Sequence, residues 1–230
     1  MIYAATPCGR PDNLLRIMKT IPDSWGWIIG YDDRVEIPDE VKQKATLVKC
    51  NNTGPAGIYA RNHILDHYDF KDEDWIFQLD DDNIIHPDIE EAFKDITEYS
   101  DYAIIAFNQC FWNNDLRLRP CAPPQVGAFD IASYLAHWKY TKHLRYHDMY
   151  CHDQLYVLDC YYGGIIMGSN DHDGKKPHED LIIPPPMGIV NKSLSYYNYI
   201  DKEDWSHPKY EQYRKAMYEQ SQNAKKEKTK

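Results

Sequence analysis

Residues 75–88 read W-I-F-Q-L-D-D-D-N-I-I-H-P-D, an apolar run that stops at three consecutive carboxylates. Two unit charges about 4 Å apart repel by roughly 4 kcal/mol at an effective dielectric near 20. In a surface loop water dilutes that cost, but a buried strand end needs a compensating cation. The run at 74–79 has the composition of a strand, which places Asp80, Asp81 and Asp82 at its carboxyl end.

The segments on either side repeat this plan. Residues 2–6 (I-Y-A-A-T) are β-prone and stop at P-C-G-R-P, 7–11. Asp12 is placed to cap a helix in which Leu14, Leu15, Ile17, Met18 and Ile21 fall at helical spacing. W-G-W-I-I-G-Y at 25–31 is a compact apolar strand ending at Asp32 and Asp33, and T-L-V-K-C at 46–50 is another. N-N-T-G-P-A-G at 51–57 opens a helix over 58–67, Pro87 and Asp88 open one over 89–98, and Y-A-I-I-A-F at 102–107 is again a strand. Strands that are apolar throughout, rather than alternating, predict a mostly parallel sheet with helices on both faces. In such sheets ligands sit beyond the carboxyl ends of the strands, here after Ala5, Tyr31 and Leu79.

Past residue 108 the pattern loosens. R-P-C-A-P-P-Q at 119–125 is a proline-rich loop, 128–138 reads as strand or helix, and 151–162 as a helix. L-I-I-P-P-P-M-G-I-V at 181–190 holds a polyproline break and a short strand, 207–220 a terminal helix, and the end a basic tail. One α/β domain over 1–205 is expected, with a nucleotide-binding half at 1–110, an acceptor half at 111–205, and a helix and tail at 206–230.

Composition narrows the function. A formal charge of −10 argues against a nucleic-acid binder. No apolar stretch reaches the 18 residues of a membrane span, and the N-terminus lacks the layout of a secretory signal. Six cysteines without a C-x-x-C pair suit reduced thiols, and a cytoplasmic location is expected. Most of the 19 tyrosines and 6 tryptophans read as core and surface filler, but their number also suits sugar-ring stacking, with Trp112, Trp138, Tyr161 and Tyr162 as candidates that read equally as core packing. Absence of H-E-x-x-H, G-x-S-x-G and G-x-x-x-x-G-K-[ST] removes the main support for zinc protease, α/β-hydrolase and P-loop readings.

An acidic cluster at a parallel strand end is either a solvated loop or a seat for a hard divalent cation, Mg²⁺ or Mn²⁺. I-F-Q-L-D-D-D-N followed by P-D-I resembles the D-x-D segment of GT-A glycosyltransferases. T-P-C-G-R-P at 6–11 resembles the T-P-x-x-R-P opening of several members, and G-P-A-G-I-Y-A-R-N at 54–62 the G-x-x-x-A-R-N stretch of family 2-type enzymes. The matches stand in the family's order across about the first half of the chain. The small size and lack of an anchor also resemble soluble glycosyltransferase domains encoded by large algal viruses.

The resemblance implies a single-domain GT-A (Rossmann-like) fold and transfer of a sugar from a nucleotide donor, most simply a UDP-sugar, to a hydroxyl of a carbohydrate acceptor. It implies Mn²⁺ or Mg²⁺ on Asp82, Asp81 at the ribose hydroxyls and Asp80 supporting the nucleotide pocket. It puts Thr6 and Pro7 along the uridine, Asp32 or Asp33 at the base, and Arg61 on the phosphates or the aspartate turn. Arg10 and Gly57, within the matched motifs, join the donor-binding set. G-A-F-D-I-A-S-Y at 127–134 resembles the acceptor-side stretch, and H-D-Q-L-Y at 152–156 matches the downstream aspartate that is the general base of inverting members. Asp153 is the candidate base, with Asp148 and Asp130 as competitors, each equally readable as a capping or exposed acid. His178 and His207 are candidate extra ligands for metal or phosphate. A sugar nucleotidyltransferase and a catalytically inactive GT-A-like sugar-binding protein are the alternatives.

Overall fold

In the computed structural model, residues 1–149, 151–162, 187–197 and 200 are described. The chain runs β1 (Ile2–Pro7), α1 (Leu14–Met18), β2 (Gly26–Tyr31), α2 (Asp39–Lys44), β3 (Thr46–Lys49) and α3 (Ile58–His67). It continues through β4 (Trp75–Gln78), β5 (Ile84–Ile85), α4 (Ile89–Ala92), β6 (Ile104–Cys110), β7 (Leu116–Leu118) and β8 (Tyr134–His137). The last described elements are α5 (Trp138–Thr141), α6 (His152–Tyr162) and β9 (Gly188–Tyr196).

All the strands join one sheet in the order β3-β2-β1-β4-β8-β6-β9-β5, with β7 paired to β6. β3, β2, β1 and β4 are parallel. β8 then enters antiparallel between β4 and β6, β9 returns parallel to β6, and β5 closes the edge antiparallel to β9. The expected α/β sheet is thus mixed, parallel in its first half and largely antiparallel in its second. The parallel half follows from its residues: Ala4, Ala5, Ile28, Ile29, Ile76 and Phe77 are buried, so helices must cover both faces. Helix α3 lies close on β2 because Gly30 has no side chain. A Cβ there would stand 3.0 Å from Ile64 Cδ1 and 3.1 Å from Ala60 Cβ.

Two helices are shorter than their patterns predict. Residues 11–13 form a 3-10 turn ahead of α1, so Asp12 is not its cap. Asn13 precedes the helix, but its side chain donates instead to the carbonyl of Asp81 at 2.8 Å. The helix expected over 89–98 ends at Ala92 and resumes as a 3-10 turn at Ile96–Tyr99. Phe93 leaves helical geometry at φ −123° and packs against Phe107 and Tyr99, with ring centroids 5.8 and 5.9 Å away. The stretch at 128–138 resolves into β8 and the start of α5.

A single hydrophobic cluster runs through both halves of the sheet. Phe77 lies at its centre, 5.8 Å from Trp25 and 6.0 Å from Phe107 between ring centroids. The six cysteines are free thiols. No helix among the described residues is long and apolar enough to cross a membrane. His178, His207, the terminal helix at 207–220 and most of the segment at 181–190 lie outside the described residues.

Candidate functional site

Beyond the carboxyl ends of β1 and β4 a cleft of about 930 Å³ opens, walled by Pro7–Arg10, Thr53–Ile58 and Asp80–Asp82 on one side. Arg117, Asp130, Asp148 and the start of α6, with His152 and Asp153, form the other side. Leu79 N–H continues the ladder to Ala5 at 3.0 Å, and the chain then turns, Asn83 N–H reaching Asp80 O at 3.3 Å. The three aspartates thus leave a buried strand end together, Asp80 meeting Arg61 while Asp81 and Asp82 share Arg10.

Asp80 pairs with Arg61, which is 0% exposed and also donates to Gln78 at 3.1 Å. Of the two places offered for Arg61, the structure puts it under the aspartate turn and not on the cleft wall. Asp81 accepts from the backbone N–H groups of Gly9 and Arg10, both at 2.7 Å, and from Arg10 Nε at 2.8 Å. The P-C-G-R segment after β1 is therefore pinned to the turn after β4. Asp82 accepts from Arg10 Nη2 at 2.8 Å, while its Oδ1 is buried with no hydrogen-bond partner among the described residues. Burial, and then the charges of Asp80 and Asp81, push the Asp82 carboxyl up to about 7.

Among the described residues no group of three or more His, Cys, Asp or Glu side chains is arranged to enclose a metal ion. The fit to a divalent cation is thus narrower: one hard carboxylate oxygen, buried and unpartnered among the described residues, on an aspartate that lines the cleft. Mg²⁺ and Mn²⁺ bound beside a diphosphate are commonly held by one or two carboxylates, with phosphate oxygens and water completing the shell. Asp82 meets that description.

At the start of the donor side, Thr6 is fully buried and its hydroxyl accepts from Trp27 Nε1 at 3.1 Å, so Pro7 and not Thr6 reaches the cleft. Gly57 packs against Pro7 at φ +74°, where an added Cβ would stand 2.6 Å from both Pro7 Cβ and Cγ. Asp32 is only 2% exposed and lies off the cleft wall. Both its oxygens take the Arg34 guanidinium, at 2.5–3.0 Å, and Oδ2 also accepts Thr53 N–H at 2.9 Å. Hydrogen bonds from Arg34 outweigh burial and hold that carboxyl well below the usual range. Asp33 is exposed and pairs with Lys49 at 2.5 Å.

On the opposite wall Asp153 sits in the first turn of α6, buried and lining the cleft. Asp130 lies within hydrogen-bonding reach of it, accepts Ile131 N–H at 2.8 Å and pairs with Arg117 at 2.6 Å. Burial pushes Asp130 up to about 8, with Asp153 adding to the rise and Arg117 opposing it. The Arg117 guanidinium lies 3.5 Å above the Tyr197 ring. Asp148 accepts from Tyr59 OH at 2.6 Å, joining the two walls. His152 presents a buried Nε2 with no hydrogen-bond partner among the described residues, and burial and the nearby Arg61 charge lower its proton affinity. All three candidate bases therefore reach the cleft.

The stacking candidates do not. Trp138 packs on Phe70, Tyr161 on Tyr162, and Trp112 is exposed away from the cleft. Arg117, Arg34 and Thr53 were not singled out by the sequence. The only signal for Arg117 is the alternation L-R-L-R at 116–119, a short strand with its arginines on one face.

No protein-family model and no curated protein matches the sequence. Solved structures do. S. aureus TarS 1–349 superposes with a TM-score of 0.59 at 9% identity, covering 89% of this chain and 61% of that one. The same protein in complex with UDP gives 0.57 at 11%, covering 86% and 60%, and in complex with UDP-GlcNAc 0.55 at 12%, covering 85% and 58%. The chain spans about three fifths of the length of these structures. Its fold is similar to that of TarS, an α/β sheet flanked by helices.

Proposed function

We propose that this chain transfers a sugar from a nucleotide-sugar donor, a UDP-sugar in the simplest case, to an acceptor hydroxyl. The observation that carries the reading is the placement of two kinds of group in one cleft. The Asp80–Asp82 turn and the glycine loop at 54–57 line one side, and Asp153 with Asp130 lines the other. The likeness in fold to a protein solved with UDP and with UDP-GlcNAc supports a nucleoside diphosphate as the donor's handle.

In this reading the diphosphate lies along the wall of Pro7–Arg10 and Gly54–Gly57. Arg10 contributes positive charge and Asp82 holds Mn²⁺ or Mg²⁺. A divalent cation there would neutralise charge developing on the departing diphosphate. Asp81 fixes the Gly9–Arg10 backbone beside the donor and is placed to face the ribose, while Arg61 and Asp80 brace the turn from below. Asp153 takes the proton of the acceptor hydroxyl as its oxygen bonds to the anomeric carbon. The anomeric bond to phosphate breaks with its electron pair leaving on the nucleoside diphosphate, so the configuration inverts.

Calorimetry of the protein with UDP tests the donor side. Binding is expected with Mn²⁺, to fall sharply with EDTA, and to be lost in Asp82→Ala with the fold retained. Equal UDP affinity with and without metal would remove the cation from the mechanism. A screen of nucleotide sugars for donor hydrolysis then identifies the sugar.

A further inference from the structure

We propose that Asp32 is a positioning residue and not a reader of the base: with Arg34 it clamps the 51–57 loop that forms the diphosphate wall of the cleft. The inference rests on the nucleotide-sugar reading of that cleft and adds a role for two residues outside it.

Asp32, at the end of β2, is buried, and its oxygens are fully engaged. Oδ1 accepts from Arg34 N–H and Nε, each at 3.0 Å. Oδ2 accepts from Arg34 Nη2 at 2.5 Å and from Thr53 N–H at 2.9 Å. The same Nη2 of Arg34 donates to Thr53 Oγ1 at 2.8 Å and to Asn52 Oδ1 at 3.4 Å. Asn52 Oδ1 in turn accepts Gly54 N–H at 2.8 Å, and Thr53 O accepts Ala60 N–H at 3.2 Å, the first turn of α3. A continuous chain of polar contacts thus runs from the β2 end, through Arg34, to the loop and the helix that follows it.

That loop also packs on Pro7 at Gly57 and on Tyr59 at Gly54, but the charged hydrogen bonds reach it at Asn52 and Thr53. It contains Gly54 and Gly57 at φ +74° and Ala56 at φ +49°, conformations that cost a non-glycine residue and that persist only when the surroundings fix them. Charge-assisted hydrogen bonds are the stronger kind, and Asp32 and Arg34 supply them where the loop begins. A base approaching Asp32 would have to displace Arg34, whose side chain is 68% exposed and covers the carboxylate from the solvent side. The geometry therefore predicts that weakening the clamp disturbs every ligand that uses the diphosphate wall, with or without a base.

The test measures binding of UDP, CDP and inorganic pyrophosphate, each with Mn²⁺, to wild type, Arg34→Ala, Arg34→Lys and Asp32→Asn. Circular dichroism of each variant shows whether the fold is retained, and Arg34→Lys keeps a positive charge beside Asp32 where Arg34→Ala does not. Arg34→Ala is expected to weaken all three ligands by a similar factor, about tenfold, as misplaced positioning groups do. Arg34→Lys, which keeps the charge without the fork, should recover part of the loss. Tighter UDP binding by Arg34→Ala would overturn the clamp, because Arg34 would then be blocking a base-reading Asp32. Loss of UDP-over-CDP preference in Asp32→Asn with pyrophosphate unchanged would overturn it as well. Wild type that binds UDP but shows no response to either Arg34 variant sinks the clamp alone. Wild type that binds neither UDP nor pyrophosphate sinks the donor site together with the clamp.

Discussion

Asp153 and Asp130 face one cleft within reach of each other, and their replacement by asparagine separates their roles. Asparagine keeps the size and much of the hydrogen bonding but cannot take a proton. If Asp153 is the base, Asp153→Asn should lower transfer by about 10²–10⁴-fold, with UDP–metal affinity near wild type. Retained transfer would move the base to Asp130 or Asp148, both already on the cleft wall. Asp130 also sets a pH dependence. Its folded-state proton affinity, up to about 8, exceeds that of an unfolded aspartate near 4, so the folded chain binds more protons in between. Stability of the ligand-free protein should therefore fall as pH rises through that window. Asp130→Asn should flatten the slope. Urea unfolding at pH 5 and pH 8.5 measures it, and a slope that Asp130→Asn leaves unchanged would show that Arg117 holds Asp130 ionised throughout.

At the scale of elements, the loop-to-helix junction at Gly57 leaves little room for a side chain. Gly57→Ala introduces a positive-φ alanine, at about 1–2 kcal/mol, and drives its Cβ against Pro7. The loop must move, and UDP affinity should fall about tenfold while the helical circular dichroism of the protein persists. Unchanged affinity would detach this loop from the donor. These elements also mark what the sequence could say. Strands such as W-I-F-Q and W-I-I-G-Y are legible because burial on both faces demands unbroken apolar runs, and α3 because G-P-A-G stops one element and opens the next. The aspartate turn was legible for the same reason, since its charges stand against an apolar background. What governs the finer site was not. Asp12 reads as a helix cap and lies in a 3-10 turn, while its neighbour Asn13 serves Asp81; Thr6 reads as a pocket residue and serves Trp27. Each side chain has several partners in reach of its chain position, and only tertiary placement selects one. The antiparallel insertion of β8 between β4 and β6 was equally hidden, because a four-residue strand of Tyr-Leu-Ala-His reads alike in either direction.

For the molecule as a whole, that insertion decides how the two halves cooperate. β8 pairs with β4 on one side and β6 on the other, so the parallel half carrying the aspartates and the half carrying Asp130 and Asp153 share one sheet. Phe77 on β4 crosses the same junction through its side chain, between Trp25 and Phe107. A cleft whose two walls come from different halves holds its geometry only if the halves unfold together. Removing a fully buried phenylalanine ring typically costs about 3–5 kcal/mol, as lost transfer energy and a cavity. Phe77→Ala should therefore shift unfolding to lower urea as a single transition. Tryptophan fluorescence, to which Trp25, Trp27 and Trp75 of the parallel half and Trp112 and Trp138 of the second half contribute, should move together with the circular dichroism of the whole chain. A cleft built on two independent units would give a different result: fluorescence and circular dichroism would separate, with the second half melting at its own midpoint. In that case the approach of Asp153 to the donor would be set by a movable interface, and transfer would be lost in Phe77→Ala before UDP binding is.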